Sequence, residues 1–295
     1  MRVDLLGTLS VTHEGVASGR QLGGRRAQLA LVLLALTPGS VPAEQLAEAL
    51  WGEVPPATWR PALRGIIRGL RDALAPIGLG GEALIATVPG GYALTDAAEV
   101  DIAVAAQDRR GGDALLHAGQ LAEAADAVEA GSRLSGMQLL PGEDQPWLAP
   151  HRRAVDQTRF DSLRIIAEAA SGLNQHSRAI EAARLTVELD PLNERGHQVL
   201  IAALDRAGDR AGAVRAYEQC RTVLGDELGI DPSRETVELY LSSLRDRTLL
   251  GAGRLPTPTA DMVGRSDELA ELRDALQSRT IVTLTGKGGV GKSRL

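Results

Sequence analysis

Cysteine is almost missing: Cys220 is the single one in 295 residues. One thiol can close no internal disulfide and build no cysteine-rich zinc site, so the fold must rest on an ordinary apolar core, with Cys220 expected to pack in a helix. Lysine is nearly as scarce, since all but Lys287 and Lys292 of the 32 basic side chains are arginine. No apolar run approaches the roughly 20 residues of a bilayer span. The start, Met1-Arg-Val-Asp-Leu-Leu6, has no apolar h-region behind a cationic n-region, and a cytoplasmic protein with no membrane partner is expected. The histidines, His13, His117, His151, His176 and His197, show no metal-ligand spacing, and no serine, cysteine or paired-carboxylate motif marks a nucleophile. The chain as it stands is expected to be no enzyme and to hold no metal or cofactor.

What is present begins with an uneven charge. The net charge of −6 argues against a protein that coats nucleic acid indiscriminately. Residues 1–94 carry 8 arginines against 7 acids (+1), and residues 95–295 carry 24 basic against 31 acidic groups (−7). Any nucleic-acid surface is therefore local and near the N-terminus.

The stretch Thr58-Trp-Arg-Pro-Ala-Leu-Arg-Gly-Ile-Ile-Arg-Gly-Leu-Arg-Asp-Ala-Leu74 supplies such a surface. On a helical wheel Arg60, Arg64, Arg68 and Arg71 fall within a sector of about 80°, while Leu63, Ile67, Leu70 and Leu74 fill a separate sector of about 60°. Thr58 is a suitable N-cap, Pro61 is tolerable in the first turn, and Pro76-Ile-Gly78 ends the helix. Guanidinium groups one turn apart suit a helix in a DNA major groove, within reach of phosphates and the O6/N7 edge of guanine. A charge stripe is more often a solvated face, but such faces mix signs, and this one carries no acid until Asp72.

Around that helix, residues 2–22 alternate in short runs broken by glycines and predict a small antiparallel sheet. A helix over Arg25–Leu36 is apolar round most of its circumference and so belongs in the core, ended by Thr37-Pro-Gly39. A second helix runs from Ala43 to Trp51 and stops at Gly52. Residues 84–94 predict a hairpin turned at Gly90-Gly91. Sheet, three helices and terminal hairpin is the order of a winged helix, with the arginine helix third, in the recognition position, and residues 84–94 as the wing. Arg25 and Arg26, near a helix start, are candidate phosphate clamps.

Gly23-Gly-Arg-Arg26, Ala49-Leu-Trp-Gly52 with Pro55-Pro-Ala-Thr58, the Leu63…Leu70-Arg71…Leu74 helix and Pro89-Gly-Gly-Tyr92 together resemble the Streptomyces antibiotic regulatory proteins. These are transcription activators with an OmpR-type winged helix followed by a bacterial transcriptional activation domain, and the resemblance covers residues 1 to about 250. It implies that Arg25, Arg26, Thr58, Arg60, Arg64, Arg68, Arg71, Gly90 and Gly91 serve DNA binding. It also implies a homodimer on direct repeats of promoter DNA, a polymerase and sigma-factor contact through Glu53, Val54, Pro55 and Pro56, and control of secondary-metabolite genes. Arg68-Gly69 stands where the family commonly has Ser-Arg, Arg64 where Gln is frequent, and Ala86-Thr-Val-Pro89 lacks the basic residue that related wings carry.

From about Val100 the texture turns helical. Arg178-Ala-Ile-Glu-Ala-Ala183 and Gly212-Ala-Val-Arg-Ala-Tyr217 match at a shift of 34 residues, with Asp190-Pro191 and Asp231-Pro232 after them, which predicts tetratricopeptide-type helix pairs stacked on one another. Residues 251–261, rich in Gly and Pro, suggest a linker. Beyond it, an apolar strand over 280–285 leads into Gly286-Lys-Gly-Gly-Val-Gly-Lys-Ser293. This is a P-loop pattern: Gly286, Gly288, Gly289 and Gly291 would let the backbone cradle phosphates, Lys292 would reach the β/γ oxygens and Ser293 would hold Mg²⁺. Val263-Gly-Arg265 with that loop resembles the NB-ARC-type ATPases of large members of the same family. The expectation is a longer natural protein cut inside its ATPase domain, with ATP and Mg²⁺ bound only in the intact protein.

The expected layout is an α+β winged helix over 1–96, an all-α activation domain over 97–250, the linker 251–261, and the start of a P-loop α/β domain over 262–295. Two other classes stay open: an ATP-driven signalling switch, and a protein-interaction scaffold with no DNA role.

Overall fold

The computed structural model describes residues 1–18, 22–134 and 136–244, together with Glu271. The linker, the strand expected over 280–285 and the loop over 286–293 lie outside the described residues. Residues 1–244 form one compact unit.

Strands β1 (Arg2–Asp4), β2 (Ser10–His13) and β3 (Val16–Ala17) pair antiparallel in sequence order, as the alternation predicts. The sheet then gains a strand from far along the chain: β7 (Glu99–Val100) adds parallel to β1, with Val3 opposite Val100. Helix α1 (Arg25–Leu36) buries eight residues and occupies the middle of the N-terminal half. Strand β4 (Ser40–Pro42) follows, unforeseen from sequence because three residues are too few to show a period. Helices α2 (Ala43–Trp51) and α3 (Trp59–Leu74) keep the expected bounds. Leu63, Ile67, Leu70 and Leu74 of α3 are the buried face, each at most 1% exposed. Past Leu74 the chain tightens into a 3₁₀ turn, Ala75–Ile77, and stops at Gly78, whose φ of 81° is left-handed.

The wing is β5 (Ile85–Val88) and β6 (Gly91–Leu94), antiparallel, with β4 on the other edge of β6. Its turn is not Gly90-Gly91 but Pro89-Gly90. Val88 pairs with Gly91, so Gly91 is already in the strand. Proline presets the first turn position and Gly90, at φ 81°, takes the second, as in a type II turn. Gly91 is required for another reason: a Cβ there would lie 2.0 Å from the Val41 carbonyl oxygen of β4.

Helices α4 (Asp101–His117), α5 (Leu121–Leu134), α6 (Ala149–Gly172), α7 (His176–Leu189), α8 (Glu194–Arg206), α9 (Arg210–Leu228) and α10 (Arg234–Leu244) make up the rest. The 34-residue shift relates α7 to α9. Ala179 and Ala213, both 0% exposed, hold equivalent places where neighbouring helices close on them. Asn193 and Asp209 cap α8 and α9 by accepting from Arg195 N and Gly212 N. Tyr217 and Tyr240 stack at 4.1 Å between α9 and α10.

The two halves share a core. Leu139, Leu140, Leu148 and Val155 belong to the same buried cluster as Val3, Leu5, Leu31, Leu34 and Ile67. An isolated bridge, Leu6 to Leu139, carries the contact into the backbone. Asp101, 1% exposed, stitches the seam: its Oδ2 accepts the N–H groups of Leu5 and Leu6, each at 2.9 Å.

Candidate nucleic-acid interface

Helix α3 sits where a recognition helix sits, with its leucine face packed on α1 and Arg60, Arg64 and Arg68 exposed. Arg64 and Arg68 are exposed, one turn apart, and make no hydrogen bond or ion pair among the described residues. Their flank of the helix is joined by bare backbone at Gly65 and Gly69, where a Cβ would meet nothing within 4 Å. Two uncommitted guanidinium groups beside open helix backbone can approach a polyanion at no cost of breaking internal bonds.

The other two arginines of the stripe are held. Arg60 bonds Glu44 of α2 at 2.7 Å, with its guanidinium 4.7 Å from the Trp59 ring centroid. It remains on the surface, and such an exposed pair is weak enough to yield to a phosphate. Arg71 is different. Its side chain is only 19% exposed, and it donates to Ile85 O from Nε at 3.1 Å and from Nη2 at 2.7 Å. Nη2 also reaches Thr87 Oγ1 at 2.9 Å and Glu82 at 3.2 Å. Thr87 and Arg71 together hold the Glu82 carboxyl below the usual range. Arg71, expected in the groove, instead ties α3 to the first wing strand. On the wheel Arg71 falls between Arg60 and Arg64, so angle alone does not single it out; it differs in lying near the C-terminal end of α3, where β5 meets it.

Thr58 occupies the N-cap position but makes no side-chain cap bond; the first helical N–H, of Trp59, donates instead to Pro56 O at 2.8 Å. Arg26 is exposed and lies over the Trp51 ring, 5.5 Å from its centroid. Arg25 is met by a carboxylate from the helical half, Glu143. Arg25 Nε stands 3.1 Å from both of its oxygens and Nη2 is 2.8 Å from Oε2. The loop carrying Glu143 is itself clamped, since the Arg152 guanidinium donates to the carbonyls of Leu139, Leu140 and Glu143. Neither Glu143 nor Arg152 was legible as part of this surface, because no motif marks a contact made across more than a hundred residues.

An open cleft of about 800 Å³ runs from Gly24, Arg25 and Arg26 past Trp51 to Ala62, Gly65 and Gly69 of α3. It places the candidate phosphate clamp and the glycine flank of α3 on one continuous surface. Glu53, Val54 and Pro56 of the α2–α3 loop are exposed, with Val54 86% exposed, and Pro55 is half-buried. Gly90 stands at the wing tip, whereas Gly91 is buried beneath β4. Among the described residues no group of three or more His, Cys, Asp or Glu is placed to hold a metal ion, and no helix is long and apolar enough to cross a membrane.

Comparisons with known proteins agree with this architecture. Residues 100–243 match the bacterial transcriptional activator domain. The regulatory protein AfsR of Streptomyces coelicolor is 28% identical over the whole of this chain, which spans 32% of AfsR. The regulatory protein DnrI of Streptomyces peucetius is 26% identical over 83% of this chain and 92% of its own length. The solved structure of Mycobacterium tuberculosis EmbR, in complex with a low-affinity phosphopeptide, superposes with a TM-score of 0.75 at 25% identity, covering 83% of this chain and 65% of that one. With the winged-helix order, the helix pairs and these relatives in agreement, residues 100–243 are a bacterial transcriptional activator domain, and the chain as a whole is similar to the Streptomyces antibiotic regulatory protein family of transcriptional regulators.

Proposed function

We propose that this protein activates transcription by binding double-stranded promoter DNA with α3 in the major groove. The observation that carries the reading is the pair Arg64 and Arg68, exposed on the recognition-position helix and free of internal partners among the described residues. Guanidinium groups in that place bond bidentately to guanine O6/N7 or to phosphates. Arg60 and Arg26, each resting on a tryptophan ring, supply further cations at the edges, and the Pro89-Gly90 wing tip approaches the neighbouring backbone. By analogy with the family, two copies sit on direct repeats about one helical turn apart. The exposed loop 53–56 faces polymerase and sigma factor, and the target genes belong to secondary metabolism. The phosphate-loop pattern over 286–293 supports ATP and Mg²⁺ binding once the remainder of an NB-ARC-type domain is present.

The test is binding to promoter fragments from the protein's own genomic neighbourhood across a salt series, with Arg64→Ala/Arg68→Ala beside the parent. We expect selective binding, a salt slope shallower by about one unit for each lost phosphate contact, and relaxed preference wherever a base contact goes. Binding unchanged by the double substitution would remove α3 as the reading helix and favour a protein-interaction scaffold.

A further inference from the structure

The seam between the winged helix and the helical domain holds a cleft that the DNA reading does not use. It lies where the end of α1, the first turns of α4 and the first half of α6 converge, and encloses about 210 Å³. Its space comes from missing side chains: Ala35, Ala103, Ala106 and Ala154 line it from three different helices. Leu36 and Val155 close the floor, both buried. No carboxylate, lysine or arginine lines it.

Two polar groups break the hydrocarbon wall besides backbone. The Thr158 hydroxyl is occupied, donating to Ala154 O at 2.8 Å. The half-buried His151 imidazole has no hydrogen-bond or ion-pair partner among the described residues. Burial pushes its pKa down, so at neutral pH it presents one N–H donor and one nitrogen acceptor. The ring nitrogens are not fully buried, so a ligand hydroxyl or carbonyl would take a place that is otherwise open to water.

We propose that this cleft binds a small, uncharged, apolar molecule that offers one hydroxyl or carbonyl to His151. The volume lies below the roughly 300 Å³ at which drug-sized pockets begin, and so limits the ligand to on the order of ten non-hydrogen atoms. Charged molecules are disfavoured because no counter-charge lines the walls. The ligand touches α1 of the winged helix on one side and α4 and α6 of the activation domain on the other. Binding therefore strengthens the junction between them and stabilises the folded unit by mass action. Helix α1 also packs against α3, which puts the site one helix away from the arginine face.

Benzyl alcohol is a suitable probe, with benzoate and benzylammonium as charged controls. The ring-proton resonance of His151, identified by its loss in His151→Gln, is followed during titration, and the other four histidines serve as internal references. We expect a saturable shift of His151 alone with benzyl alcohol, together with a rise in melting temperature, and no saturable shift with either charged control. Ala154→Leu, which fills the cleft from its exposed side, is expected to weaken that binding at least ten-fold while keeping the helical circular dichroism. Ala103→Leu does the same from α4 should the first variant fold poorly. The proposal is overturned if benzyl alcohol leaves His151 unmoved, if benzoate binds as well, or if binding persists in both filled variants. A cleft that serves instead to receive an apolar side chain of a partner protein would give the first of these results.

Discussion

Arg71 and Ile85 are joined by a two-pronged bond: Nε and Nη2 of the arginine both donate to the Ile85 carbonyl, at 3.1 and 2.7 Å. The arginine thereby anchors the wing to the recognition-position helix. Arg71→Ala is expected to lower stability by about 1.5–3 kcal/mol in urea unfolding, the range for hydrogen bonds from a charged donor. Arg64→Ala, exposed and unpartnered among the described residues, should stay within about 0.5 kcal/mol of the parent and lose DNA affinity instead. An unchanged urea midpoint for Arg71→Ala would return that residue to the groove.

Asp101 predicts a pH effect at the seam. Burial raises its carboxyl above the ordinary aspartate range, outweighing the N–H groups of Leu6, Leu5 and Ile102 that pull it down. The folded state then holds the proton more tightly than the unfolded chain. Stability accordingly falls as pH rises from the ordinary value through the raised folded one, and levels above it. Asp101→Asn keeps a carbonyl for Leu5 and Leu6 and should abolish that descent. Asp101→Ala strands both N–H groups, at about 1–3 kcal/mol each. Thermal melts from about pH 4 to neutrality check both; a descent that survives in Asp101→Asn assigns it to another group.

Glu143 occupies the Arg25 guanidinium that the proposed phosphate contact would need. Glu143→Gln is expected to raise promoter affinity several-fold and to steepen the salt slope by about one unit. Arg25→Ala should then cost more DNA affinity in the Glu143→Gln background than in the parent, a difference that a double-mutant cycle measures. Equal DNA binding by Glu143→Gln and the parent would make the pair purely a tie between the two halves.

The two wing glycines separate by mechanism. Gly90→Ala meets no atom within 4 Å and suffers only its left-handed φ of 81°, a cost of about 1–2 kcal/mol. Gly91→Ala puts a methyl 2.0 Å from the Val41 carbonyl, which must displace β4 and is expected to cost more, up to about 3 kcal/mol. Urea midpoints in the opposite order would place the tight approach elsewhere.

The sequence alone determined the helices of the winged half and the repeat of the helical half. Periodic apolar faces such as Leu63, Ile67, Leu70 and Leu74, with stops at Gly52 and Pro76-Ile-Gly78, are local signals, and they set α1, α2 and α3 to within a residue. The 34-residue echo of α7 in α9 is also local, because each helix pair repeats the same small-residue contact. What only the tertiary structure decided lies between segments far apart. Arg71 meets Ile85 across 14 positions, Asp101 meets Leu5 across 96, and Arg25 meets Glu143 across 118. The short strands β4 and β7 exist only because β6 and β1 offer them edges. A wheel sorts arginines by angle, and it sorted four together. Which of them remain free for DNA depends on the carbonyls and carboxylates that folding brings alongside, and these left Arg64 and Arg68 open while committing Arg71 to the wing.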